Sequence, residues 1–156
     1  MDAETLTAIR TLLDTERVLT AAVLVDGEPV AALLPYALSP QRTAAYVQVS
    51  GLAKHARGLY PGATVGVLIH APATADRDAM QIPRLTVQAS VELIERGTAA
   101  FDTAATRLLA RFPAAEMTLG LEDFSVYALR LGRGRYVEGF ARAFNVGSET
   151  FGALNV

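Results

Sequence analysis

Four residues in one short run could do chemistry together: Ser50, Lys54, His55 and Arg57. An alternating run through Tyr46, Val47, Gln48 and Val49 stops at Ser50, and Gly51-Leu52-Ala53 leads into a segment holding the only lysine and one of the two histidines. No aspartate or glutamate occurs between Glu28 and Asp76. Read as a strand entering a helix, the segment would offer an anion unpaired N–H groups, the positive end of a helix dipole and cationic side chains. Ser50 would cap that helix, and Lys54 and Arg57, three apart, would share one of its faces. A phosphate there would gain several charge-assisted hydrogen bonds, each worth about 1.5–3 kcal/mol. The competing reading is an ordinary capped helix whose outer face is basic and solvated.

The elements that must position this run are mostly strands. Met1 to Arg17 reads as an amphipathic helix, with Asp2 and Glu4 in its first turn and Leu6, Ile9, Leu12 and Leu13 along one face. Val18–Val25 and Pro29–Leu38 flank Asp26-Gly27, a strong hairpin signal. Both strands are apolar on both faces, so one face fills a core and the other must meet a second layer, a helix or another subunit. Thr43–Ser50 is a third strand, the basic helix runs to about Tyr60, and Pro61-Gly62 stops it. Ala63–His70 is a fourth strand, and Ala71 to Pro83 a polar loop. Arg84–Glu95 then alternates, with Leu85, Val87, Ala89, Val91 and Leu93 on one side and Arg84, Thr86, Gln88, Ser90 and Glu92 on the other.

Helices are expected over Thr98–Phe112 and Ala114–Leu121. Phe124–Leu131 reads as a strand, with Gly132-Arg133-Gly134 turning the chain into a short last strand, Arg135–Glu138. From Asn145 the chain reads as a loosely held tail unless a partner orders it. The expected architecture is α+β and mainly β: an antiparallel barrel of six or more strands with flanking helices, one domain over 1–144 and a C-terminal tail over 145–156.

Composition narrows the function. A chain of 156 residues, half of them apolar, has the length for one domain that buries roughly 70% of its unfolded surface. The net charge of −2 and scattered arginines argue against a nucleic-acid surface. Without cysteine there is no disulfide, thiolate metal site or thiol nucleophile. The first residues lack the pattern of a secretory signal, and the apolar run around Val18 to Val25 is too short to span a bilayer, so a soluble cytoplasmic protein is expected. No GxGxxG or Walker loop is present, which disfavours a parallel nucleotide-binding fold.

The order of the pieces carries a resemblance. The hairpin LTAAVLVDGEPVAALLPYAL, then YVQVSGLAKHARGL, then IPRLTVQASVEL, then GFARAF at 139–144 resembles the pyridoxamine 5'-phosphate oxidase-like FMN-binding split-barrel family. The likeness is greatest to its heme-utilisation branch: Ser50, Leu52 and His55 match in spacing, Arg84 opens an RLT strand, Asp123-Phe124 matches a DF strand, and Gly139, Phe140 and Ala143 match a late GF..A. It covers roughly Leu13 to Phe144.

That resemblance implies a homodimer with FMN, or alternatively heme, in clefts at the subunit interface, and a small-molecule substrate. It implies Ser50, Lys54 and Arg57 at the cofactor's phosphate, His55 beside them, Arg84 facing cofactor or substrate, and Pro35, Tyr36, Tyr46 and Val49 along the cleft. Gly139 and Phe140 would close over the ring from the partner subunit. Two departures stand out. Val30 to Ala37 lacks the arginine and lysine of vitamin-oxidising members, and no histidine follows Arg84 to match the tail ligand of heme-degrading ones.

The leading function is therefore an FMN-dependent oxidoreductase in which the flavin carries the chemistry. Its rival is a non-catalytic FMN- or heme-binding protein: a carrier, a sensor or a heme-utilisation module. Each residue also has a plain alternative. Arg84 would pair with Asp76, Asp78 or Glu92, His55 would be a surface imidazole, His70 would end its strand structurally, and Glu122-Asp123 would cap a turn.

Overall fold

Asp26 and Gly27 turn the chain at φ 53° and 78° in the computed structural model, which describes residues 1–155. Two successive positive φ values match the right-handed twist of the flanking strands, and Asp-Gly supplies them at least cost. The hairpin so formed joins β1 (Val18–Val25) to β2 (Glu28–Leu38), paired along their full length from Val25↔Glu28 to Val18↔Pro35.

Five further strands follow: β3 (Ala44–Ser50), β4 (Thr64–His70), β5 (Arg84–Ile94), β6 (Phe124–Gly139) and β7 (Arg142–Val146). They lie in the order β3-β2-β1-β4-β5-β6-β7, and β3 also pairs with β6. All pairs are antiparallel, so the first six strands close into a barrel and β7 extends it outside. Closure is uneven. β2 and β3 pair only over Tyr36↔Val47 to Leu38↔Ala45, and beyond that the strands part.

Side chains that alternate inward fill the barrel, among them Val23, Tyr36, Val47, Ile69, Leu85 and Leu129. Helix α1 (Ala3–Thr15) caps one end with Ile9, Leu12 and Leu13, and Asp2 caps its own first turn by accepting from the Thr5 N–H at 2.8 Å. Helices α2 (Ala99–Arg111) and α3 (Ala115–Leu119) cover the outside of β3 and β6, making a second core from Leu108, Leu119, Tyr46, Val126 and Ala128. Ile94 joins that second core, while Leu93, expected on the side of Leu85 to Val91, is exposed. Arginines tie the layers together through carbonyl oxygens. Arg111 donates to those of Tyr36, Asp14 and Glu16, and Arg96 to those of Leu119, Leu121 and Phe124.

Two expectations are corrected here. Gly132-Arg133-Gly134 is no turn: β6 runs unbroken through it, and the triplet forms a bulge, because Leu131 pairs with Ala89 and Gly134 with Val87, leaving Gly132 and Arg133 opposite Gln88. Both glycines are required by crowding. A Cβ on Gly132 would lie 2.9 Å from the Gln88 carbonyl oxygen, and one on Gly134 only 2.0 Å from that of Thr86.

The segment after Asn145 is also not loose. Arg142–Val146 pairs with the end of β6, and helix α4 (Ser148–Ala153) follows, with Phe151 and Leu154 buried in the main core. Two large apolar side chains per short segment are enough to hold it down. Among the described residues no helix is long and apolar enough to cross a membrane.

Candidate functional site

The basic run after β3 folds differently from the helix its spacing suggests. It is a five-residue 3₁₀ turn, Lys54–Gly58, whose N-cap is Ala53 rather than Ser50. The Ser50 hydroxyl oxygen instead accepts from the Leu52 N–H at 3.2 Å, and the Gly51 N–H donates to the Asp123 carbonyl at 2.6 Å. Two of the N–H groups expected to face an anion are thus used within the chain. So short a 3₁₀ turn also carries little of an α-helix dipole.

The cause lies at Gly58. A Cβ there would meet Val23 Cβ at 2.7 Å, so the turn is pressed onto β1 and has no room to lengthen. That contact brings the hairpin tip alongside, and Arg57 Nη1 lies 3.3 Å from Asp26 Oδ2. The acid-free window in the sequence therefore receives a carboxylate from outside itself. Lys54 remains exposed beside a half-buried His55.

The cleft residues scatter. Tyr36 is fully buried, with its hydroxyl donating to the Leu13 carbonyl at 2.7 Å and the Arg111 guanidinium over its ring at 4.9 Å. Burial pushes its phenol up to about 12, with Arg111 pulling the other way. Val49 points into the barrel core and Tyr46 lies under α2 and α3. Of the four expected wall residues only Pro35 stays open, beside Gln48, Leu108, Phe112 and Thr118 around a cavity of about 300 Å³.

Arg84 donates from Nη1 to the carbonyls of Ile82 at 3.0 Å and Met80 at 3.3 Å, folding back on the preceding loop. Of the three acids expected to compete for it, Glu92 is engaged with Arg130 at 2.6 Å and Asp78 with the Met80 N–H, and Asp76 forms no ion pair with it. Phe140 stands exposed at the tip of the β6–β7 turn, next to Ala141 at φ 60°.

What the fold does bring together is the outward face of β2, β1, β4, β5 and β6. Register alone places its rows. Pro35 pairs with Val18, and His70 pairs with Arg84, at one end. The next row runs Leu33, Thr20, Leu68, Thr86, Arg135 and Asn145, and the one after it Ala31, Ala22, Gly66 and Gln88, with Arg133 donating to the Gln88 side chain at 3.1 Å. The β1–β2 half of this face is apolar and open, with Leu33 68% and Leu24 62% exposed. The β5–β6 half carries Arg84, Arg133 and Arg135.

Between the halves the surface is shallow, since Gly66 has no side chain and Ala22 and Ala31 only methyls. A depression of about 580 Å³ lies on the β5–β6 side, lined by Gly66, Thr86, Gln88, Arg133, Arg135 and Asn145 among others. His70, read from sequence as structural, is exposed at the edge, with its Nδ1 2.7 Å from the Ala71 carbonyl. A carbonyl oxygen has no proton to give, so Nδ1 is the donor, and in the neutral ring this tautomer leaves the lone pair on Nε2. Leu24 and Val18 are six residues apart on β1, about 20 Å, so the Lys54–Arg57 corner and the Arg84–His70 end are opposite ends of one protomer's face.

No family model matches the chain. A solved heme-binding protein from Mycobacterium smegmatis superposes on 98% of the chain with a TM-score of 0.84 and 29% identity; this chain spans 62% of that one. A Clostridium acetobutylicum protein of the pyridoxine phosphate oxidase family shares the fold over 97% of this chain and 99% of its own, with a TM-score of 0.68 and 11% identity. The chain has the pyridoxamine 5'-phosphate oxidase-like split-barrel fold and is similar to heme proteins built on it. The heme oxygenase HutZ of Vibrio cholerae is 26% identical over 132 residues, covering 83% of this chain and 73% of its own length.

As a split barrel the chain carries its open sheet face where strand patterning already pointed, since β1 and β2 are apolar on both sides. Sequence reasoning missed Arg133 and Arg135. Their signal was present as two arginines two apart around Gly134, but the pair Gly132 and Gly134 reads equally as a turn.

Proposed function

We propose that this chain binds heme, as a homodimer whose copies meet through the apolar β1–β2 half of the outer face, with the ligand at the edge of that interface. The observation that carries the reading is the face itself: a flat apolar surface bordered by arginines and a histidine, on a barrel whose relatives in Mycobacterium smegmatis and Vibrio cholerae are heme proteins. A porphyrin is a large flat apolar plate with two carboxylates on one edge. Gly66, Ala22 and Ala31 suit the plate, the arginines suit the carboxylates, and His70 Nε2 is a nitrogen of the kind that ligates iron.

Heme takes precedence over FMN because the observation that first favoured a flavin phosphate has weakened. Ser50 does not cap a helix and Arg57 is paired with Asp26. The likeness to the Clostridium acetobutylicum protein, at 11% identity, speaks for the fold alone. When bound, heme would supply iron chemistry, and this chain would supply position, charge and exclusion of water.

Titration of the purified protein with hemin, followed at the Soret band, tests the reading. A saturable shift at one heme per chain is expected, while FMN added under the same conditions should leave its own spectrum unchanged. Saturable FMN uptake with no Soret shift would return the flavin oxidoreductase to first place.

A further inference from the structure

Arg133 and Arg135 reach the outer face only because of the bulge opposite Gln88. Before it, odd-numbered residues of β6 point inward: Leu129 is fully buried and Leu131 4% exposed. After it the parity flips, so that Tyr136 is inside and Arg133 and Arg135 are outside. One extra residue turns every later side chain of a strand to the other face. Without it both guanidinium groups would point into an apolar barrel.

Their partners differ from those of the ion-paired arginines. Arg42, Arg57, Arg130 and Arg142 each sit within 3.3 Å of a carboxylate. Among the described residues, Arg133 and Arg135 form no ion pair. They are held by neutral amide oxygens instead, Arg133 Nε on Gln88 Oε1 and Arg135 Nη1 on Asn145 Oδ1, both at 3.1 Å. An amide oxygen fixes a guanidinium without neutralising it. Arg133 keeps both terminal nitrogens and Arg135 one terminal nitrogen and Nε, and no acidic residue lines the depression they border. In a chain of net charge −2, that is two uncompensated positive charges beside a flat floor.

We infer that Arg133 and Arg135 are the anion-recognition end of the face and take the two carboxylates of a flat, amphipathic ligand; resting on the reading above, these are the propionates of heme. Guanidinium suits this role because its fork matches a carboxylate in two parallel hydrogen bonds. Gln88 and Asn145 are positioning residues that aim the two forks.

The test compares hemin with hemin dimethyl ester, which has the same plate without the charges, on the full chain and on Arg133→Gln, Arg135→Gln and the double variant. Both arginines are exposed, and thermal melting checks that the variants remain folded. Each single change should weaken hemin binding about tenfold or more, the double change further, with ester affinity the same in all four proteins. Unchanged hemin affinity in the double variant, beside a wild type that binds, would overturn the inference and leave the heme reading standing. An equal loss for hemin and ester would also overturn it, since the arginines would then shape the surface rather than read charge. A wild type with no Soret shift would remove the heme reading itself, and this inference with it.

Discussion

Asp26 Oδ2 lies 3.3 Å from Arg57 Nη1, so the tip of the first hairpin delivers a carboxylate to a segment whose own sequence has none. Both side chains are well exposed, which limits the pair to about 0–1 kcal/mol. Asp26 has a second role, since it holds φ 53° in the turn. Asparagine tolerates that backbone and alanine does not. Urea denaturation should therefore show Asp26→Asn within about 0.5 kcal/mol of wild type and Asp26→Ala about 1 kcal/mol less stable. Equal losses for both would mean that the ion pair, not the turn, is what Asp26 contributes.

Tyr36 links the barrel wall to the end of α1 through its hydroxyl on the Leu13 carbonyl. Tyr36→Phe leaves that buried carbonyl without its donor, which costs about 1–3 kcal/mol. The same residue makes the fold sensitive to alkali. Its folded pKa of about 12 lies above the ordinary tyrosine value near 10 because burial disfavours the phenolate. With a raised folded pKa, the stabilisation is fully present below pH 10 and is lost as pH rises toward 12. Melting temperature against pH should fall across that interval more steeply for wild type than for Tyr36→Phe. Parallel curves would assign the alkaline loss to other groups.

How much of this was legible in the sequence divides along local and non-local lines. The Asp26-Gly27 hairpin, the alternation of β5 and the apolar face of α1 depend on neighbours in the chain, and period and turn chemistry reveal them. The Lys54 segment depends on Gly58 meeting Val23, a contact made across the fold, so its helical spacing misled. Ser50 was misread for the same reason, because its hydroxyl serves a local turn whose shape Asp123 helps to set. Tyr36 and Tyr46 were aromatic residues near a suspected cleft, and sequence does not reveal that α1, α2 and α3 cover them. The bulge at Gly132-Arg133-Gly134 is the most consequential case, since a single register shift decides where two cations point.

That bulge is rigidly specified. Gly134→Ala would place a Cβ against the Thr86 carbonyl oxygen and the Val87 backbone, neither of which is a flexible side-chain end. A loss of about 3 kcal/mol or more is expected, or failure to accumulate folded protein. Gly147→Ala is the matched control, because nothing lies within 4 Å of a Cβ there. Similar stability for the two variants would show that β6 can re-register freely around the triplet.

Phe151 decides whether the C-terminal segment belongs to the domain. It is fully buried in the main core with Leu154. Phe151→Ala should cost about 3–5 kcal/mol. A tail lying outside the cooperative unit would instead leave the urea midpoint unmoved.

Leu33 and Leu24 carry the proposed dimer. Two exposed leucines on one apolar sheet face are costly to leave in water, and burying each contributes about 1.5–3 kcal/mol. A two-fold interface counts every such residue twice, so one substitution acts at two places. Leu33→Glu puts a carboxylate on each side of the contact and has no inward neighbour to disturb. Light scattering should find wild type at twice the chain mass and Leu33→Glu at the chain mass, with unchanged circular dichroism. Since the ligand sits at the edge of the same interface, the monomeric variant should also bind hemin more weakly. A wild type that is monomeric at every concentration would leave this face without its proposed cover and would place the heme surface on a single copy.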